Sequence, residues 1–146
     1  MSIAEVDVRV LTANDVTVLE RVESGVFDYP VQLDLAFDYL ANPDNLLAVA
    51  IQEGLVIGVA SGFAYIHPDK PLQLFINEVG VSSRWQRQGI GKRLIRALLE
   101  QGRTMGCTNA WVATEQPNVS ARALFTATQG TEIEESVVVF QWKLTD

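Results

Sequence analysis

Between Leu72 and Met105 the chain passes from an apolar, strand-like run (Leu72 to Val81) into a helix-like run (Ile90 to Met105). The junction reads Gln86-Arg87-Gln88-Gly89-Ile90-Gly91-Lys92-Arg93. A strand that turns through glycine into a helix aims several backbone N–H groups outward at the positive end of the helix dipole, which makes a cradle for a diphosphate. Gly89 and Gly91 keep side chains out of the way of the phosphates. A dinucleotide fingerprint needs a third glycine three positions after Gly91, where Leu94 stands. A P-loop needs glycine at position 86, occupied by Gln86, and Ser or Thr after Lys92, where Arg93 stands. What remains is a shorter loop with cationic shoulders, suited to the diphosphate of a coenzyme.

Charge agrees with that reading. The chain of 146 residues has a net charge of −7, which disfavours a polyanion such as nucleic acid and favours cationic ligands. Yet Arg84, Arg87, Lys92, Arg93 and Arg96 gather five of its 11 basic residues around the glycine loop. The length suits one domain with a proper core. No apolar run spans a bilayer, and the start Ser2-Ile3-Ala4-Glu5 has no secretory pattern, so a cytoplasmic protein without membrane contact is expected. The lone Cys107 permits no internal disulfide and opens a strand, where a packing role is expected. No metal-ligand spacing is present.

The remaining pattern alternates strands and helices. Val6-x-Val8-x-Val10 reads as a strand, and Thr12-x-x-Asp15 as a capping box opening a helix to about Glu23. Pro30 opens a second helix, ended by Asn42-Pro43-Asp44. Leu46 to Gln52 and Leu55 to Ile66 form a hairpin around Glu53-Gly54. Gly106 stops the long helix, Thr108 to Ala113 is a strand, Pro117 opens a short helix, and two closing strands follow from about Thr131. The expected fold is one mixed α/β (α+β) domain over residues 1–146, a mostly antiparallel sheet flanked by about four helices. Gly80, inside an apolar strand, marks a bulge or a close backbone approach.

Gln86-x-x-Gly89-x-Gly91 after Glu78-Val79-Gly80-Val81 resembles the acetyl-coenzyme A signature of the GNAT superfamily of N-acetyltransferases. Asn118-x-x-Ala121-x-Ala123-Leu124-Phe125, closed by Gly130, is similar to that family's later helix, with Phe125 where a Tyr is usual and the glycine one place late. The resemblance implies the GNAT fold and acetyl-CoA as co-substrate. It implies coenzyme contacts from Val79, Gly80, Val81, Gln86, Arg87, Gln88, Gly89, Ile90, Gly91, Lys92, Asn118 and Phe125. In the family the strand at Val79–Val81 bulges, and its free backbone groups pair with the pantetheine arm as an added strand would.

Transfer of an acetyl group to an amine requires a neutral amine, a polarised carbonyl and a departing thiolate. Glu78 is the first choice of base, provided burial raises its pKa; the bland alternative is a structural carboxylate tied to Arg84 or a loop amide. Glu115 is second, and His67, in a Pro-flanked turn, a distant third. Phe125 cannot protonate the thiolate, so water or one of Tyr29, Tyr39 and Tyr65 substitutes, or the step runs unaided. Val26-Phe27-Asp28, Asp38-Tyr39-Leu40 and Tyr65 are similar to the aminoglycoside 3-N-acetyltransferase branch. That likeness implies substrate contacts from Asp28, Tyr65, Glu115 and Glu135, with Glu132 and Glu134 as further acids near the cleft. Three functions stay open: a small-molecule amine acetyltransferase, with a homodimer as one option; a protein or peptide N-acetyltransferase; and a non-catalytic acyl-CoA sensor.

Overall fold

A computed structural model describes residues 5–133 and 137–145. The chain falls into two compact units, Met1–Ala113 and Thr114–Asp146. The first holds a five-stranded sheet in the order β1-β2-β3-β4-β5. Strands β1 (Asp7–Val10), β2 (Asn45–Gln52), β3 (Leu55–His67) and β4 (Lys70–Val81) pair antiparallel, and β5 (Asn109–Val112) joins β4 in parallel. This is the mixed, mostly antiparallel sheet expected from the sequence. The β2–β3 hairpin turns at Glu53 and Gly54, both left-handed at φ 51° and 77°, the geometry whose twist matches that of the strands.

Strand alternation sends side chains to two faces, and each face has its own cover. Helix α2 (Ile90–Met105) lays Ile90, Leu94, Ile95 and Leu98, all buried, along one face. On the other, Leu47, Val49 and Val59 pack with Leu19, Val26, Ala36 and Leu40 from the segments before β2. Each buried Val, Leu or Ile side chain here contributes roughly 1.5–3 kcal/mol relative to exposure. Gly106, at φ 94°, ends α2 where expected.

Two helices differ from the expected ones. The helix expected from Thr12 to about Glu23 is a 3-10 helix over Ala13–Glu20. Asp15 does accept from the Thr12 N–H at 2.7 Å and hydroxyl at 2.9 Å. The run Asn14-Asp15-Val16-Thr17-Val18 is poor in α-formers, so the tighter coil costs little. Helix α1 (Leu33–Ala41) begins three residues after Pro30, with no side-chain cap at Gln32 to start it earlier.

The second unit carries α3 (Val119–Ala127), capped by Asn118 Oδ1, which accepts from the Ala121 N–H at 3.1 Å. The closing strands are not found: residues 131–133 and 137–145 belong to no strand, while Glu134 and Ser136 lie outside the described residues. Alternation gives a segment strand propensity, but a strand exists only where a neighbouring edge receives it.

Candidate active site

The glycine loop is built to leave N–H groups open. After β4 the chain makes a single 3-10 turn, Ser83–Trp85, anchored by the fully buried Trp85, whose indole N–H finds no partner among the described residues. Arg87 (φ 62°) and Gly89 (φ 85°) are left-handed and swing the backbone into α2. Gly89 is the N-cap and has no side chain to cap with, and the first turn holds no acidic residue. The first intrahelical bond runs from the Arg93 N–H to Gly89 O at 3.2 Å, so the N–H groups ahead of it are orphans that an anion can satisfy. A Cβ on Gly89 would meet nothing within 4 Å, so the approach is open. Arg87 and Lys92 are exposed beside it. These features fit a coenzyme diphosphate. The Ile90 side chain is buried, so only its backbone is left to the loop surface.

Other polar groups of the loop are occupied in holding its shape. Gln86 Nε2 donates to Val81 O at 2.9 Å, and Gln88 Nε2 to Arg84 O at 3.4 Å. Arg93 donates to Val6 O at 2.9 Å, which removes it from the cationic rim. Arg84 forms a close ion pair with Glu23, and Glu23 also accepts from the Ser82 hydroxyl. The Arg84 guanidinium, then the Ser82 hydroxyl, hold the Glu23 carboxyl below its usual range. Arg84 thus pairs with Glu23, an acid that the sequence reading did not offer it. Sequence reasoning missed Glu23 because the pair spans about sixty positions and no local spacing announces it.

The bulge also lies elsewhere than Gly80. Ser61 pairs with Glu78 and Gly62 with Ile76, so Asn77 is the extra residue of β4. Gly80 sits in regular register with Val59. Its requirement is the other one, close approach: a Cβ there would lie 2.2 Å from Val26 O. That contact brings the Val26 backbone against Gly80 near the end of β4. The Ser82 N–H bonds Ile57 O at 2.8 Å, and antiparallel alternation then turns Gly80 toward β3 and Val79 and Val81 away from it. Strand β5 pairs β4 only over Gln73–Ile76, so no described strand covers Val79–Val81. Among their outward groups, Val81 O is bound by Gln86.

Glu78 is exposed, so the burial expected to make it a better base is absent, because the Asn77 bulge carries it off the alternating core pattern. Asp28 is exposed too. Tyr65 is not part of this group. It pairs with Gln73, four residues along β3 from the partner of Glu78, about 13 Å away. Its hydroxyl donates to Gln73 Oε1 at 3.3 Å and accepts from Trp111 Nε1 at 2.6 Å. The Tyr39 hydroxyl lies 2.6 Å from Leu46 O and 3.0 Å from Gly62 O, and burial pushes its pKa up to about 12, which makes it a strut and a poor acid. His67 sits in the β3–β4 turn against Asp69. Cys107 is half-buried, and burial pushes its thiol up.

In the second unit, Phe125 is half-buried on α3 and Glu115 is exposed. Glu132 is bonded to Arg122 at 2.7 Å, and Glu135 lies outside the described residues. The late glycine has a local cause. Gln129 takes the left-handed position at φ 70°, and the Gly130 N–H reaches back to Phe125 O at 2.8 Å, where a Cβ would crowd that oxygen at 2.9 Å.

Among known proteins, the Acetyltransferase (GNAT) family pattern matches residues 14–130. The L-2,4-diaminobutyric acid acetyltransferase of Wolinella succinogenes is 37% identical over 78 residues, 52% of this chain and 44% of that protein. Human N-acetyltransferase 8 is 33% identical over 95 residues, 63% of this chain and 41% of that protein. The chain thus spans less than half the length of these curated relatives. Among solved structures, an aminoglycoside acetyltransferase from an uncultured soil metagenomic sample, in complex with sisomicin, superposes with TM-score 0.80 at 24% identity, covering 97% of this chain and 98% of that one. AAC(6')-Iy, in complex with a bisubstrate analogue, superposes with TM-score 0.77 at 18% identity over 94% and 99%. These likenesses show a shared GNAT fold. With the phosphate-ready loop, the open strand edge and a family match over most of its length, the chain belongs to the Acetyltransferase (GNAT) family.

Proposed function

We propose that this protein is an acetyl-CoA-dependent N-acetyltransferase acting on a primary amine of a small polycationic molecule, with an aminoglycoside as the first substrate class to test. The observation that carries the reading is the uncapped start of α2 at Gly89, set beside the strand edge of Val79 and Val81 that no described strand covers. The family match crosses the boundary between the two units, which supports reading them as one catalytic domain.

When bound, acetyl-CoA supplies the acyl group as an activated thioester. The amides of Gly89 to Lys92, flanked by Arg87, hold the diphosphate. The Val79 main chain and the Val81 N–H orient the pantetheine arm. Glu78 accepts the amine proton, directly or through water, and a substrate docked over it supplies the desolvation that the fold does not. Phe125 offers no proton, and none is needed: an alkyl thiol of pKa about 8.5 leaves readily as thiolate near neutral pH.

The charge of −7 supports a cationic acceptor and argues against nucleic acid. Asp28, Glu115 and Glu135 are the acids proposed to meet its amines. The diaminobutyrate acetyltransferase relatives favour a second acceptor of kindred chemistry, a small diamino acid. A thiol-release assay with aminoglycosides, L-2,4-diaminobutyrate, polyamines and peptides tests the proposal. Turnover of a multiply aminated small molecule is expected. Turnover of peptides alone would reject it, and tight coenzyme binding without turnover would make the protein a sensor. Product NMR identifies the acetylated amine, and acetyl on the aminoglycoside 3-amino group is the outcome that supports the 3-N branch.

A further inference from the structure

Strand pairing puts three aromatic side chains of the first unit in one row. Phe63 on β3 faces Phe75 on β4, and Phe75 faces Trp111 on β5, in direct register. Adjacent ring centroids lie 5.2 and 4.3 Å apart, so the row is continuous. It lies on the sheet face opposite α2: a Cβ on Gly102 of that helix would meet Leu74 at 3.1 Å, and Phe75, next along, points the other way. Phe63 and Trp111 remain 37% and 43% exposed. The polar edges of the patch are already satisfied. Trp111 Nε1 donates to the Tyr65 hydroxyl at 2.6 Å, and that hydroxyl donates to Gln73 Oε1 at 3.3 Å. These bonds fix the Trp111 ring and leave its face, rather than its N–H, to meet another molecule.

The Asn77 bulge decides what stands beside the row. Strict alternation from Phe75 would turn Asn77 to the aromatic face and Glu78 toward α2. With Asn77 as the extra residue, Glu78 pairs instead with Ser61, which shares its face with Phe63. The exposed carboxylate is thus delivered to the aromatic face, one strand repeat, or about 7 Å, from the row. Tyr65 and Gln73 lie on the row's far side. A carboxylate beside open ring faces suits a cation with an apolar body, because the negative face of an aromatic ring attracts ammonium groups. A saturated ring presents several C–H groups to such a floor at once. An open chain must freeze its rotors to do the same, at about 0.5–1.5 kcal/mol for each flexible group immobilised.

We propose that Phe63, Phe75 and Trp111 are the platform on which the acceptor lies, and that they select an amine carried on a saturated six-membered ring over an open-chain amine of similar charge. The rings bind and orient; they take no part in proton transfer. The inference deepens the small-amine reading and rests on it for the role of Glu78.

Kanamycin and spermine carry equal numbers of amines, the first on rings and the second on an open chain. When the wild-type chain is titrated with kanamycin, the sugar C–H protons should move upfield and receive saturation from the protein's aromatic protons. That contact should be lost in Trp111→Leu and in Phe75→Leu, which keep an apolar side chain and remove the π face. Each variant should weaken kanamycin binding about tenfold and raise its KM in step, while kcat, coenzyme affinity and spermine affinity stay unchanged. Absence of the ring contact in the wild type, or equal losses for kanamycin and spermine, would overturn the platform. Ring contact without turnover of any amine would leave the platform standing and reject the catalytic reading. Turnover without ring contact would do the reverse.

Discussion

Gly80 and Gly89 are required for opposite reasons, and substitution separates them. At Gly80 a Cβ has no room, with Val26 O 2.2 Å away. Gly80→Ala should cost about 1–3 kcal/mol by displacing the Val26 loop, read as a fall in melting temperature. At Gly89 a side chain has room but stands at φ 85° in the path of the phosphates. Gly89→Val should cost about 1–2 kcal/mol of stability, yet lower coenzyme affinity at least tenfold by calorimetry. An equal loss of stability and affinity in both variants would contradict this division. Tyr39 gives a spectroscopic check: one phenol should ionise only near pH 12, and Tyr39→Phe should remove that step. The sequence made Gly89 legible because its neighbours at 86 and 91 complete a motif. Gly80 was legible only as one of two alternatives, and the true bulge at Asn77 carries no sequence mark, since many bulges accept any residue near helical geometry. Glu23 could not be found at all, because an ion pair between distant positions leaves no periodic trace.

Elements followed the same logic. Helix α2 was readable to the residue: its apolar stripe is periodic and left-handed glycines bound both ends. The β2–β3 hairpin was readable from Glu53-Gly54, although Glu53 takes a left-handed conformation that a glutamate adopts at some cost. Glu53→Asn should therefore raise stability by about 0.5–1 kcal/mol, measured in urea unfolding. The helix expected to reach about Glu23 is a 3-10 coil ending at Glu20, because capping signals mark where a coil starts and say nothing of its pitch or end. The strands expected after Thr131 were misread because pattern supplies propensity and only a neighbouring edge supplies the strand.

At the scale of the molecule, charge sets two dependences. Glu23 has a folded pKa below its ordinary 4.5, held there by Arg84 and then Ser82. Its contribution is thus complete above about pH 4.5 and is lost as pH falls through the folded value. The stability gap between wild type and Glu23→Gln, measured by urea unfolding, should be widest near pH 7, at about 1–2 kcal/mol, and close in acid. With a net charge of −7, the Michaelis constant for a polycationic amine should rise with salt, while that for an uncharged analogue should not. The uncovered end of β4 has a consequence of its own for how the whole sheet exchanges its amide protons with deuterated water. Gly80, tied to β3, should exchange slowly at all times, whereas Val79 and Val81 on either side of it should exchange fast and slow down only once the coenzyme is added. Occupancy would then be written into the protein as an odd-and-even rhythm of protection along three consecutive residues.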